Sequence, residues 1–299
     1  MAAWDISTAI YTGNSYDASG LTTVATGLFF KPDGLAFWTN GDDDVFEFSI
    51  ASAWDLSSSV ALVRSYSYLA QENTSRDVFF KSDGTKMFIV GDQNNAILEY
   101  ALSTAWDVSS ASFTTSADVS GQETVPRSVF FKDDGTKFYI TGLNSARVHE
   151  YALSTAWDLS TASYTTLFNP TTQAGSPISI TFKSDGSKMY VLDLGKDVYQ
   201  YALSTAWDVT SASYESKFLS TSAQVSTPLN SFFKPDGEEF YVVDNSDTIF
   251  QYTTTSTTGR AVDTQAAANS VSNVLSLNSA AVDPSANSIV VTPAPNALT

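Results

Sequence analysis

The sequence contains no cysteine and few basic residues, since 15 Lys and Arg stand against 32 Asp and Glu, a formal net charge of −17 at pH 7. Without cysteine the chain can form neither disulfides nor thiolate metal sites. A chain of 299 residues buries enough apolar surface to fold without disulfides, so their absence does not indicate a compartment. The negative charge repels phosphate backbones and anionic lipids, so nucleic-acid binding is not expected.

Long apolar runs are also absent, and no segment approaches the ~20 apolar residues that a membrane-spanning helix needs. The chain starts directly with repeat sequence and shows no basic and apolar leader. It also lacks a Gly-x-Ser-x-Gly nucleophile motif and a phosphate-binding Gly-x4-Gly-Lys motif. These absences predict a soluble protein without membrane insertion, secretion signal or cofactor.

What the chain does contain is an internal repeat. The segment Tyr201–Asp208 recurs almost unchanged at Tyr151–Asp158 and Tyr100–Asp107, and in altered form at Phe48–Asp55. Its Trp-Asp pair occurs at Trp4, Trp54, Trp106, Trp157 and Trp207, with spacings of 50, 52, 51 and 50 residues. A Phe-Lys pair followed by an Asp-Gly turn alternates with it, at Lys31, Lys81, Lys132, Lys183 and Lys234. A repeat of this length predicts an array of equivalent structural units.

Each unit contains four strand signals. In the third repeat they are Arg127–Lys132, Lys137–Thr141, Arg147–Tyr151 and Ala162–Thr166, with a tight turn at Asp133–Gly135 after the first. The second strand is apolar on both faces in every repeat, which predicts a sheet covered on both sides. Four-stranded antiparallel sheets packed face to face around an axis meet that requirement. The sequence therefore predicts an all-β, five-bladed β-propeller.

The ends of the chain predict how the ring closes. The N-terminal segment supplies a fourth strand without the first three, and the fifth unit has three strands from Leu229 to Thr253 without a fourth. We therefore expect Ser7–Gly13 to complete the fifth blade, which removes exposed strand edges. The predicted domains are a propeller at residues 1–253 and an extended, low-complexity C-terminal arm at residues 254–299.

The recurring Trp-Asp pair favours a structural role, because an element present in every blade usually serves the blade. Each indole is expected to cover the end of its sheet, and each Asp to accept backbone N–H groups in the turn before the fourth strand. The alternative is five equivalent binding sites on that face.

On the opposite face, the loops between second and third strands are acidic and rich in amides. None has the ligand order of a calcium loop, so solvated turns are favoured over Ca²⁺ binding and no metal site is predicted. Candidate ligand or partner contacts on this face are Gln71, Gln122, Gln173 and Gln224, which recur at one loop position, and Arg76 and Arg127. The arginines suit an acidic sugar or partner. Alternatively, the glutamines fix backbone and the arginines serve neighbouring loops.

Catalysis is not expected. Glycoside hydrolases with a five-bladed ring need two carboxylates near the axis. The five axial positions carry Gly27, Asp77, Ser128, Ser179 and Asn230, of which only Asp77 is a carboxylate, kept as a candidate contact. The single histidine, His149, lies in a third strand beside a polar position that recurs in every repeat. No catalytic residue is assigned.

From Ser256 onward the composition changes, because aromatic residues disappear and only Arg260, Asp263 and Asp283 are charged. Such a segment cannot bury enough apolar surface to fold alone. Its apolar residues nevertheless suit docking on a partner; they are Val271, Val274, Leu275, Leu277, Ile289, Val290 and Val291. The alternative is that the segment has no fixed structure.

The pattern Phe-Phe-Lys-x-Asp-Gly-Thr-Lys-Met-Tyr-Val followed by Tyr-x-Leu-Ser-Thr-Ala-Trp-Asp-Val-Ser resembles propeller repeats of virion structural and tail-associated proteins of marine bacteriophages. It is more distantly similar to Tyr-Val-Thr-Asn propeller repeats. The resemblance covers about residues 1–253 and implies a non-enzymatic virion protein that decorates the shell or tail, binds other virion proteins and contacts the host surface. The alternative is a multivalent lectin, extracellular or on a cell surface, with one glycan site per blade.

Overall fold

The fold is a five-bladed β-propeller, seen in a computed structural model that describes residues 3–20 and 24–255. In chain order the strands are β1 Ile10–Asp17, β2 Phe29–Phe30, β3 Ala36–Asn40, β4 Asp44–Ile50, β5 Val60–Ser67, β6 Ser75–Phe80, β7 Lys86–Gly91, β8 Ala96–Leu102, β9 Ala111–Asp118, β10 Pro126–Phe131, β11 Lys137–Gly142, β12 Val148–Leu153, β13 Ala162–Phe168, β14 Pro177–Phe182, β15 Lys188–Asp193, β16 Asp197–Leu203, β17 Ala212–Ser220, β18 Pro228–Phe233, β19 Glu239–Asp244 and β20 Thr248–Thr253. Four 3₁₀ turns precede outer strands, at Ile6–Thr8, Val108–Ser110, Leu159–Thr161 and Val209–Ser211.

The strands form five antiparallel four-stranded sheets, as the repeat predicts. Blades I to IV are the consecutive sets β2–β5, β6–β9, β10–β13 and β14–β17. Blade V is built from β18, β19, β20 and β1. Within the described residues no helix is long and apolar enough to cross a bilayer.

The N-terminal strand closes the ring, which confirms the predicted closure. Strand β1 pairs antiparallel with β20, and Tyr11 lies opposite Tyr252. The predicted bounds of this strand were wrong, because Ser7–Gly13 overlaps the turn as well as the strand. Asp5 caps a 3₁₀ turn at Ile6–Thr8, and the strand begins only at Ile10. The predicted arm at residues 254–299 lies, apart from Thr254 and Thr255, outside the described residues.

The core lies between the blades. The second strand of each blade is apolar on both faces because both faces are covered, and in β7 the four residues Met87 to Val90 are fully buried. Each apolar cluster joins two neighbouring sheets; one of them packs Tyr139 of blade III against Ile180, Met189 and Tyr201 of blade IV. Burial of this kind supplies most of the stabilisation.

The Trp-Asp pairs are structural in the way the sequence predicts, with one addition. Trp157 adopts the left-handed region at φ 63° and packs over Gly135, where a Cβ would overlap its ring. Its ring also stacks on Phe131 of its own blade at 5.4 Å and on Phe88 of blade II at 6.1 Å. The Asp158 side chain accepts the N–H of Ser160 at 3.0 Å. The indole therefore joins neighbouring blades as well as covering its own sheet.

The recurring polar residue of the third strand also links blades. The Glu99 carboxylate accepts the N–H of Leu159 in the next blade at 2.9 Å. In the same way, Gln200 Oε1 accepts the N–H of Ile6 at 2.9 Å, and Gln251 Oε1 accepts the N–H of Leu56 at 3.1 Å. Because Ile6 belongs to blade V and Leu56 to blade I, this chain of hydrogen bonds crosses the point at which the ring closes.

Candidate functional site

The first strands of the blades run side by side around the axis, and at one end they enclose a cavity of about 190 Å³. We call this cavity the mouth; it is lined by Thr26, Arg76, Arg127, Ile178 and Leu229 at equivalent repeat positions, together with Leu143, Leu194 and Pro228. Leu143 and Leu194 come from loops between second and third strands. The mouth therefore opens on the face of the variable loops, where ring folds commonly bind ligands.

Two of the predicted contacts, Arg76 and Arg127, meet in the mouth but differ in their partners. Arg76 forms a two-pronged ion pair with Asp92, whose Oδ2 accepts Nε at 3.0 Å and Nη2 at 2.8 Å. Arg127 forms no ion pair with any described residue, and its Nε is buried without a hydrogen-bond partner among them. Burial and, to a smaller extent, the charge of Arg76 lower the pKa of Arg127. A guanidinium that is half-buried and unpaired is costly, because the charges of Asp92 and Glu123 offset only part of its lost hydration.

The nearest carboxylates do not compete for Arg127. Asp92 is held by Arg76. Glu123 is fully buried and accepts the N–H groups of Val125 at 2.8 Å, Asn144 at 3.1 Å and Ser145 at 3.0 Å. Both carboxylates are thus occupied, and the fork of Arg127 remains available to an external acceptor.

The four recurring glutamines lie in the loops that lead into the first strands, and the mouth contains none of them. The Oε1 atoms of Gln122 and Gln224 accept the hydroxyls of Tyr151 at 2.9 Å and Tyr252 at 3.3 Å. The backbone N–H of Gln71 bonds to Tyr68 O, and that of Gln173 to Pro170 O, each within a turn. These contacts agree with the alternative interpretation of the sequence, in which the glutamines hold the backbone of the loops in place.

Below the mouth, one residue further along each first strand, lies the axial ring predicted from the repeat: Gly27, Asp77, Ser128, Ser179 and Asn230. Its side chains bond to the adjacent blade, since Asp77 Oδ2 accepts the N–H of Val129 at 3.0 Å and Ser179 Oγ that of Ser231 at 3.2 Å. Burial raises the pKa of Asp77 to about 7, although hydrogen bonds from Val129 and Ser128 oppose the shift. The ring holds a single carboxylate, whereas glycoside hydrolysis needs two.

One arrangement that the sequence did not reveal resembles a catalytic group. Ser145 Oγ lies 2.6 Å from Glu123 Oε2 and 2.9 Å from His149 Nε2. The carboxylate can only accept, so the hydroxyl proton points to Glu123, and His149 donates to the serine oxygen. In a catalytic triad the acid orients the histidine instead. Here His149 Nδ1 is buried without a partner among the described residues, and burial lowers the pKa of His149, which favours the neutral imidazole.

Across the described residues, no three His, Asp or Glu side chains gather closely enough to hold a metal ion. The predicted docking residues of the arm, Val271 to Leu277 and Ile289 to Val291, lie outside the part of the chain that the structure describes.

Comparison with known proteins gives no match to a family model and none to a curated protein. Among solved structures, a functionally unknown protein from Desulfotomaculum acetoxidans has TM-score 0.46 and 14% identity over 74% of this chain and 62% of that chain. A Lactobacillus plantarum protein has TM-score 0.49 and 14% identity over 74% and 64%. A candidate 6-phosphogluconolactonase from Bacteroides uniformis has TM-score 0.46 and 12% identity over 72% and 63%. This chain spans less than two thirds of each of these three proteins.

Proposed function

We propose that this chain is a non-enzymatic interaction protein that recognises an acidic group of its partner at the mouth. The observation that supports this proposal is Arg127, a half-buried guanidinium with an unpartnered Nε in a cavity that opens on the loop face. The cations near the hairpin turns behave differently, since Lys31, Lys81 and Lys132 each pair with the aspartate two residues later. An arginine left unpaired in so acidic a chain suits an incoming anion.

The mouth forms one site per ring. Only two of its five equivalent positions carry arginine, while the others are Thr26, Ile178 and Leu229. This asymmetry favours a protein that recognises one acidic group. It disfavours the alternative, a multivalent lectin, because such a lectin needs a comparable glycan site on each blade. The absence of catalysis is part of the proposal and is supported by the single axial carboxylate and by the order of Glu123, Ser145 and His149.

The anion site is tested with inorganic sulfate on the full-length chain, followed by thermal unfolding. Sulfate that binds only the folded state raises the melting temperature with its concentration. We expect Arg127→Ile, which installs the residue of the equivalent blade IV position, to reduce the rise to the general stabilisation that sulfate gives any folded protein. The control is Arg147→Gln, because Arg147 also forms no ion pair within the described part of the chain but donates to the carbonyls of Ser145 and Ala146 outside the mouth. Equal sulfate responses of the Ile variant and the unchanged protein would refute the site.

The virion role belongs to the same proposal and rests on the repeat resemblance. In it the propeller is displayed on a phage particle, its C-terminal arm docks on other virion proteins, and the mouth contacts an acidic group on the host surface. Removing residues 260–299 should abolish incorporation into particles. Arg127→Ile should leave incorporation intact and weaken attachment to cells. Normal incorporation of the truncated chain would contradict the anchoring role of the arm.

A further inference from the structure

The walls of the mouth are aliphatic. The two arginines are surrounded by Leu143, Ile178, Leu194, Pro228 and Leu229, and none of the described residues that line the cavity is aromatic. Aromatic rings are the usual stacking surface for flat, weakly polar faces, and their absence leaves only methyl and methylene groups to contact a ligand. A ligand that fills this space therefore presents an apolar body to the walls.

The remaining neutral polar group of the mouth is already engaged. Thr26 is 4% exposed, and its hydroxyl lies 3.1 Å from Asn40 O and 3.2 Å from Ser75 O and accepts Asn40 Nδ2 at 2.9 Å. Apart from Arg127, the lining side chains offer the hydroxyls of a sugar no free donor or acceptor, and a polar group buried without a partner is unfavourable. The chemistry of the walls thus argues against a glycan in this cavity.

The size of the cavity limits the apolar body. A volume of about 190 Å³ corresponds to roughly six water molecules at ~30 Å³ each. A carboxylate with a branched chain of three or four carbons fits that volume, with its charged end at Arg127 and its methyl groups against Ile178, Leu194 and Leu229.

We infer that the mouth binds a short branched aliphatic carboxylate, an inference that rests on the proposed function. Two sources share this chemistry, a free carboxylic acid and the C-terminal carboxylate of a chain ending in leucine or valine. Both present a planar anion that matches the guanidinium fork and an aliphatic group that the leucine walls exclude from water. In a chain end, the preceding residues would leave the mouth on the loop face.

The test is a ligand-observed NMR titration of the full-length protein with acetate, isovalerate, isovaleramide, N-acetylneuraminate and the peptide acetyl-Gly-Gly-Leu as free acid and as amide. We expect isovalerate to bind about tenfold more tightly than acetate, because three further carbons are buried. Isovaleramide and the peptide amide should not bind, because they lack the negative charge of the carboxylate. Tighter binding of the peptide acid than of isovalerate would identify a chain end as the source, and the reverse would identify a free acid; both support the carboxylate.

Two variants separate the parts of the inference. Arg127→Ile should remove binding of acetate and isovalerate alike. Leu194→Ser, at a side chain that is 40% exposed and so tolerant of change, should lower isovalerate affinity several-fold and leave acetate unchanged. Equal affinities for acetate and isovalerate, or tighter binding of N-acetylneuraminate, would overturn the aliphatic ligand while the anion site stands. Failure of every anion, sulfate included, would overturn the proposed function itself.

Discussion

The carboxylate of Glu72 occupies the space in which a side chain at Gly91 would begin, because a Cβ added to Gly91 would overlap Glu72 Oε2. Glu72 is fully buried and accepts the N–H groups of Thr74 at 2.8 Å and Gln93 at 3.2 Å, so it organises the loops on both sides of the inner strand. Glu123 and Gly142 repeat the relationship in blade III.

In blade IV the carboxylate comes from the second strand instead of from the loop. Ala174 stands where blades II and III have glutamate, and Asp193 stands where they have glycine. The Asp193 carboxylate accepts the N–H groups of Ser176 at 2.6 Å and Gly195 at 2.7 Å. Blades II, III and IV thus each place one carboxylate at this point, supplied by the loop in blades II and III and by the second strand in blade IV.

The first prediction transfers the blade IV arrangement of these two positions to blade II. We expect Gly91→Asp alone to destabilise through its clash with Glu72, and Glu72→Ala alone through unsatisfied backbone N–H groups, each by about 1–3 kcal/mol. The double variant Glu72→Ala/Gly91→Asp recreates the blade IV arrangement and should recover at least about 1 kcal/mol relative to the sum of the single changes. Melting temperatures of the four proteins measure this coupling. Additive losses would show that the two positions are independent.

This pairing was present in the sequence and was not recognised there. Blade count, strand order and the Trp-Asp turns follow from features that recur in every unit, and ring closure follows from the two incomplete units. Glu72 with Gly91, and Ala174 with Asp193, differ between units and are informative only when two distant positions are compared. Sequence analysis could not show which of the two adjacent arginines, Arg76 or Arg127, pairs with Asp92. That choice depends on how the loops approach the axis.

A second prediction concerns pH. Burial raises the pKa of Asp77 to about 7, so the unfolded chain releases this proton at lower pH than the folded protein does. The contribution of Asp77 to stability is complete below the unfolded pKa near ~4 and is lost as the pH rises through about 7. We expect Asp77→Ser, which places the residue of blades III and IV in this ring, to reduce the loss of stability over this range by no more than about 4 kcal/mol. Thermal unfolding across the pH range measures the difference between the two proteins, and parallel profiles would contradict the assignment.

A third prediction tests how firmly the N-terminal segment is built into blade V. Trp4 and Trp157 are both 8% exposed and pack over Gly237 and Gly135. If the segment is as well integrated as an internal repeat, Trp4→Ala and Trp157→Ala should each cost about 3–5 kcal/mol. Their melting temperatures should then fall by similar amounts. A much smaller loss for Trp4→Ala would mean that the closing segment frays before the ring melts.

The last prediction follows from the cost of leaving Arg127 unpaired. Its Nε is buried without a partner, and burial lowers its pKa, so the charged side chain is disfavoured where it stands. Arg127→Ile replaces this charge with the residue that blade IV carries at the equivalent position, so no new packing problem is expected. We expect the variant to be more stable by about 1–3 kcal/mol, in the range measured when buried charges give way to apolar residues.

The control for Arg127 is Arg76→Thr, which installs the residue of blade I. Because Arg76 is paired with Asp92, its removal strands a carboxylate and should destabilise the protein instead. We expect the melting temperature to rise in the Arg127→Ile variant and to fall in the Arg76→Thr variant. If the stabilised variant also loses anion binding, Arg127 serves binding and not folding. A destabilised Arg127→Ile variant would show that the guanidinium serves the fold, and the mouth would then lose its strongest argument as a binding site.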